Sequence, residues 1–222
     1  MKKLGGFLHS LFRRRSCPVP TWRGWVLLAV VVVLPGIYGF RHVDGFLAQN
    51  EPLPDGVPVV EGWLPDYALA QLKTDLRLCD GHKIYVTGGP VEEGGPLSQY
   101  KNLADLGAAV LVGMGVDSNC VQSVPTPLVF KDRTYTSAMA LRAWFQKHGG
   151  IPKKINLISM GAHSRRSHML FAAAFGKEVE VGVTAIEDRG YDPHHWWRTS
   201  QGVRTVVSEF VAYLYARFLF SD

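Results

Sequence analysis

Cysteine is scarce in this chain. Three of the 222 residues are Cys, at positions 17, 79 and 120, and no pair has the spacing of a metal site. Cys17 follows Arg-Arg-Ser, without the apolar residues that a lipoprotein cleavage site needs. Cys79 and Cys120 either pair or remain two isolated thiols. Histidine offers no better ligand set. His163 and His168 are five apart and do not share a helix face, and no His-Glu-x-x-His occurs. His194 and His195 are adjacent and flank two tryptophans, so no metal is expected. A dinucleotide fingerprint is missing too, because no Gly-x-Gly-x-x-Gly and no Walker pattern is present. Acids are absent from residues 1–24, which hold Lys2, Lys3, Arg13, Arg14, Arg15 and Arg23. Beyond them, 18 of the 24 basic residues face all 19 acids, a net charge of −1. The basicity lies in the tail and not on the folded part, which argues against nucleic acid as a partner.

Next to that tail stands Gly24 to Phe40, seventeen residues without a charge, with Trp22 and Trp25 near one end and Tyr38 and Phe40 at the other. This is a minimal membrane span with interfacial aromatics. The triple arginine before it predicts a cytoplasmic N-terminus and an extracytoplasmic C-terminal part, in the inner (cytoplasmic) membrane. A cleaved signal peptide is the competitor, but no Ala-x-Ala site follows the apolar run, so an uncleaved anchor is expected. The expected organisation is a basic tail over 1–21, a transmembrane helix over 22–40, a linker over 41–55 punctuated by Pro52 and Pro54, and one domain over 56–222. With 47% hydrophobic residues, that domain can bury a sizeable core.

Strand and helix patterns alternate through the domain. Strands are expected at Val57–Glu61, Lys83–Thr87, Cys120–Val124, Ile155–Ser159 and Val179–Ala185. Helices are expected from Pro65 to Cys79, with Tyr67, Leu69, Leu72, Leu76 and Leu78 as periodic residues, and from Leu97 to about Val112. Further helices are expected over Ala138–His148, after Gly161, and from about Ser200 to Leu219. A polar, glycine-rich loop runs from Gly88 to Pro96, and Lys131–Ser137 reads as a second loop. Such alternation predicts parallel βαβ units.

The most informative stretch is Ile155 to Phe171. An apolar strand runs into Ser159-Met160-Gly161, and a helix comes after it whose buried face is expected at Met169, Leu170, Ala173 and Ala174. Ser159, His163, Arg165 and Arg166 lie between them. A strand end feeding a helix start is where open α/β sheets hold ligands. Cations at a helix start are mildly unfavourable, so two arginines and a histidine there suggest an anion; surface pairing of the arginines with nearby acids is the plainer alternative. Parallel strands share one carboxyl edge, which brings Glu61, Gly88-Gly89 and the Arg133–Thr136 segment towards the same place. Glu61 ends an apolar strand, and a buried carboxylate needs a partner, which Arg133, Arg165 or Arg166 would supply.

Leu-Ile-Ser-Met-Gly-Ala-His163-Ser-Arg-Arg166-Ser resembles the His-x-x-Arg strand-turn-helix signature of the ElyC/SanA/YdcF proteins, an envelope-associated family. Arg133-Thr134-Tyr135-Thr136-Ser137-Ala138 is similar to that family's Asn-Thr-x-Glu-Asn-Ala segment. Thr134 and Ala138 match in register, while the family's second carboxylate is missing. Glu61-Gly62-Trp63 stands where the family has a glycine-rich turn. The resemblance covers roughly residues 57–220 and implies a Rossmann-like three-layer α/β sandwich with a mostly parallel sheet, here preceded by one transmembrane helix.

The sequence therefore predicts a site with His163 and Glu61 as acid–base groups and with Gly62, Gly88, Gly89, Arg133, Thr134, Thr136, Ser159, Arg165 and Arg166 as ligand-binding residues. The expected ligand is an anionic small molecule or a phosphorylated lipid-linked precursor, the envelope part of this expectation coming from the resemblance. The alternative is a non-catalytic module for a nucleotide-like ligand or a protein partner. No cofactor is named by any motif.

Overall fold

The structure is a computed structural model that describes residues 20–75, 83–92 and 97–220. The tail with Cys17, the stretch holding Leu76, Leu78 and Cys79, and the loop over 93–96 lie outside the described residues. Contact density divides the chain into two units, residues 1–40 and 41–222.

In the first unit, helix α1 (Trp22–Leu47) begins; it is long and apolar enough to cross a membrane. Its last two turns belong to the second unit. Residues 41–47, expected to open a linker, are helical because Leu47 is fully buried and Asp44 accepts from the Tyr191 hydroxyl at 2.6 Å. The next residues are also held: Glu51 bridges to Val183, and Asn50 Oδ1 accepts from the Ala185 N–H.

The second unit then alternates as expected. β1 (Val57–Glu61), α2 (Asp66–Asp75), β2 (Ile84–Gly88), α3 (Leu103–Gly113) and β3 (Val121–Pro125) come first. α4 (Arg133–Lys147), β4 (Lys154–Met160), α5 (Ser164–Phe175), β5 (Glu180–Ile186) and α6 (Ser200–Phe218) complete it. The five strands form one parallel sheet in the order β3-β2-β1-β4-β5. This is an α/β three-layer sandwich. Adjacent strand residues face opposite layers: Val59 and Leu157 pack with Ala138, Leu141, Phe171 and Phe175 of α4 and α5. Val60 and Ile158 pack with Leu69, Leu72 and Leu111 of α2 and α3. A third cluster joins Leu47, Ala162, Tyr191, Trp196 and Val206, so Trp196 packs α6 and the end of α1 against the domain.

Three local expectations change. Arg133–Ser137 is not loop but the first turn of α4. On α5 the buried face is Ser164, Ser167, Leu170, Phe171, Ala174 and Phe175; Met169 is half-buried and Ala173 exposed. Leu97–Asn102 precedes α3 as turn and bend, because Asn102 caps the helix by accepting from the Asp105 N–H.

Candidate functional site

Strand order reverses between β1 and β4, the neighbours from which the chain winds outward in both directions. Ligand crevices of open parallel sheets form at that switch, outside the strand carboxyl ends. A cavity of about 740 Å³ lies there, lined by Glu61 of β1, Thr87 and Gly88 of β2, Met160 of β4, His163 and Arg166 beside it, and the inner face of α6.

Glu61 is the last residue of β1 and only 4% exposed. Its partners are not the arginines expected from the sequence. Ser159 Oγ donates to Oε2 at 2.5 Å, Ser167 Oγ donates to Oε1 at 3.0 Å, and His163 Nε2 lies 3.6 Å from Oε1. Burial would raise this carboxyl, but the His163 charge, with hydrogen bonds from His163, Ser159 and Ser167, holds it below its usual range.

His163 follows Gly161, whose positive φ of 44° turns the chain from β4 into α5. Its Nδ1 lies 2.9 Å from Glu209 Oε1 of α6. Burial alone would lower its basicity; the charge of Glu61 and the hydrogen bond to Glu209 overcome that and lift it from 6.5 to about 9. The ring is therefore an imidazolium that donates Nδ1–H to Glu209. Trp63 contacts it edge-on at a 4.9 Å centroid distance.

Arg166, one helical turn on, shares Glu209: Nε donates to Oε2 at 2.9 Å and Nη2 to Oε1 at 3.1 Å. Nη2 also lies 2.9 Å from His163 Nδ1. Both nitrogens carry protons, so both give them to the carboxylate and not to each other. Desolvation opposes the charge on Glu209, but the hydrogen bond and charge of His163, then those of Arg166, bring it to about 2. Glu61, His163, Glu209 and Arg166 thus form a closed row of alternating charge with no net excess.

The opposite wall is different in character. α4 starts at Arg133 after Asp132, which has φ 54° and gives no side-chain cap, so the first-turn N–H groups have no partner among the described residues. Asp132, Arg133, Thr134 and Ser137 all line the cavity. Arg133 pairs on the surface with Glu92 at 2.8 Å. Arg204 of α6 also lines the cavity and meets no carboxylate among the described residues. Thr87, 2% exposed, points a hydroxyl that has no hydrogen-bond partner among the described residues. Leu128, Val129 and Phe130 form an apolar part of the rim, with Phe130 96% exposed.

Of the residues expected from the sequence, Glu61, Gly88, Gly89, Arg133, Thr134, His163 and Arg166 line this one cavity. The others do not. Gly62 touches α3: a Cβ there would collide with the Leu103 carbonyl oxygen. Thr136 Oγ1 donates to the Asp132 carbonyl at 3.2 Å, Ser159 is buried behind Glu61, and Arg165 donates to the Phe46 carbonyl while lying over the Phe46 ring. Sequence reasoning places Thr87 at this edge with Gly88-Gly89 and misses Ser167, Glu209 and Arg204. Ser167 alone carries a local signal, being four residues after His163 on one helix face. Among the described residues no cluster of His, Cys, Asp and Glu has the make-up of a metal site.

Fold and cavity define a doubly wound parallel α/β domain with a ligand-sized pocket at its switch point. Comparison of the chain with protein-family models, curated proteins and solved structures returned no match.

Proposed function

We propose that the chain is a membrane-anchored protein whose extracytoplasmic domain binds, and acts on, a phosphorylated amphiphile of the cell envelope. The observation that carries this reading is the pairing of two unlike walls in one cavity. One wall offers the open start of α4 with Arg133 and Thr134, the unpaired Thr87 hydroxyl and Arg204. These are donors suited to phosphate oxygens, worth roughly 1.5–3 kcal/mol for each charge-assisted bond. The apolar rim at Leu128 and Phe130 suits a hydrocarbon chain. The other wall holds His163, a proton donor whose Nε2–H lies 3.6 Å from Glu61 and whose ring Glu209 orients. The resemblance to the ElyC/SanA/YdcF proteins points the same way.

Inner-membrane insertion of α1 with a cytoplasmic N-terminus is part of this reading. Cys120 is disulfide-bonded, a state suited to an oxidising compartment. A reporter fused at the C-terminus is expected to be active outside the cytoplasm; cytoplasmic activity would remove the envelope reading.

A non-catalytic binding module is the second reading, favoured by the saturation of Glu61 by two serines, which leaves it poorly placed as a base. Both readings share one binding test. Calorimetry of the full chain with a short-chain polyprenyl phosphate should show binding, and the matching alcohol should not bind. Arg133→Ala and Thr87→Val should each weaken it by about tenfold, the equivalent of 1.4 kcal/mol. Equal binding of phosphate and alcohol, or unchanged affinity in both variants, would refute the anion site. Turnover of the phosphate by the native chain, lost in His163→Gln, decides between enzyme and module.

A further inference from the structure

Helix α6 carries three faces, and the third joins no core cluster among the described residues. One face packs inward through Gly202, Val206, Tyr213 and Ala216. A second lines the cavity through Arg204, Ser208, Glu209 and Tyr215. The third presents Val203, Val207, Phe210, Val211, Leu214 and Phe218, all exposed. At 100° per residue these six fall within one arc of about 100°. That arc contains no charged residue. Arg204 borders it on one side and Arg217 on the other, both exposed, and Arg217 lies 5.8 Å from the Phe218 ring centroid.

An apolar stripe edged by arginines is the pattern of a helix lying in the plane of a bilayer surface, with its apolar face in the acyl boundary and its cations among the head groups. The domain also ties α6 to the chain segment that directly follows the apolar span. Phe46 meets the Tyr213 ring at 5.4 Å, and Leu47 packs with Val206. Arg41, the first charged residue after that span, lies over the Trp197 ring at 6.0 Å, an aromatic–cation pair of the kind found at membrane interfaces.

We infer that the outer face of α6 is a lipid-contact surface, seated on the bilayer that α1 crosses. The inference rests on the anchor reading of α1, and it gives the cavity a position: the residues that line it from α6 lie immediately beside the lipid-facing stripe. An amphiphile would then reach the phosphate-binding wall without leaving the interface.

The test uses the full chain in nanodiscs of phosphatidylcholine and phosphatidylglycerol, with a photoreactive benzophenone residue placed at Val211, or at exposed Gln146 of α4 as control. Illumination should shift the Val211 species by the mass of one phospholipid and leave the Gln146 species unshifted. A probe at Leu214 should give the same lipid adduct, which Val207→Glu with Val211→Glu should abolish. A chain-to-chain adduct from Val211 would overturn the proposal in favour of a second copy on this face. Equal yields at Val211 and Gln146 would overturn it as well. Co-purification of the chain with the nanodisc is scored separately, so failure of the anchor is distinguishable from failure of the α6 contact.

Discussion

His163 shows how one side chain sets the electrostatics of the pocket. Its proton is held by Glu61 and Glu209 together, and the row titrates as one system. His163 is raised from 6.5 to about 9, so its contribution to stability is complete below 6.5 and is lost as the pH climbs through 9. Glu209 is depressed from 4.5 to about 2, so its contribution is complete above 4.5 and is lost as the pH falls towards 2. Stability should therefore peak between these limits and decline by roughly 3 kcal/mol on the alkaline side, since a tenfold change in proton affinity corresponds to about 1.4 kcal/mol. His163→Gln should remove that alkaline decline and lower the plateau by about 3 kcal/mol, because it leaves Glu61 buried without its cation. Urea midpoints measured from pH 5 to 10 report both; an unaltered alkaline slope in the variant would show that another group carries it.

At the scale of elements, the close approach of α3 to the sheet depends on glycines. Gly62 and Gly88 face Leu103, and Gly107 faces Gly62, each closer than a Cβ normally tolerates. Gly62→Ala should destabilise by about 1–3 kcal/mol through overpacking, seen as a lowered melting temperature, with the binding site affected only through that strain. A melting temperature equal to that of the native chain would mean that α3 is free to shift outward. The same elements separate what is legible in the sequence from what is not. Four of the strands are legible as short, mainly apolar runs, while β3 (Val-Gln-Ser-Val-Pro) is legible from its place in the alternation. The start of α4 is not: Asp132 is a favoured N-cap residue, yet it adopts a left-handed conformation and its side chain caps nothing, and the helix begins within a segment that reads as loop. Gly62 reads as a ligand contact because a glycine after a strand has two uses, and only the placement of Leu103 separates them. The partners of Glu61 are hidden for a related reason: Glu209 claims Arg166 from a helix 43 residues further on, and no local pattern announces it.

For the whole molecule, the domain begins earlier than the proline-punctuated stretch suggests. Residues 41–55 supply Leu47 to a buried cluster, Asp44 to the Tyr191 hydroxyl, Asn50 to β5, and the Leu53 N–H to Asn156 Oδ1. Burying one leucine contributes about 1.5–3 kcal/mol, and a buried hydroxyl left without its acceptor costs about 1–3 kcal/mol. A fragment of residues 41–222 should accordingly be more stable than one of residues 56–222, by several kcal/mol in urea titration. Coincident transitions would assign residues 41–55 to the outside of the cooperative unit.

The strand order has a consequence for a chain still being made. β1 emerges first yet ends in the middle of the sheet, and its partner on one side is β4, with Val57 paired to Ile155. At about 5–20 residues per second, that flank waits roughly 5–20 seconds for its neighbour. For this interval a row of peptide groups is open to neighbouring nascent chains. Pro58 has no N–H to offer and Glu61 carries a charge, so the strand brings its own guards against mispairing while incomplete. Pro58→Val should then raise the insoluble fraction during cell-free synthesis even if the purified variant melts at the native temperature. An unchanged insoluble fraction would mean that β1 is shielded by something other than its own sequence until β4 arrives.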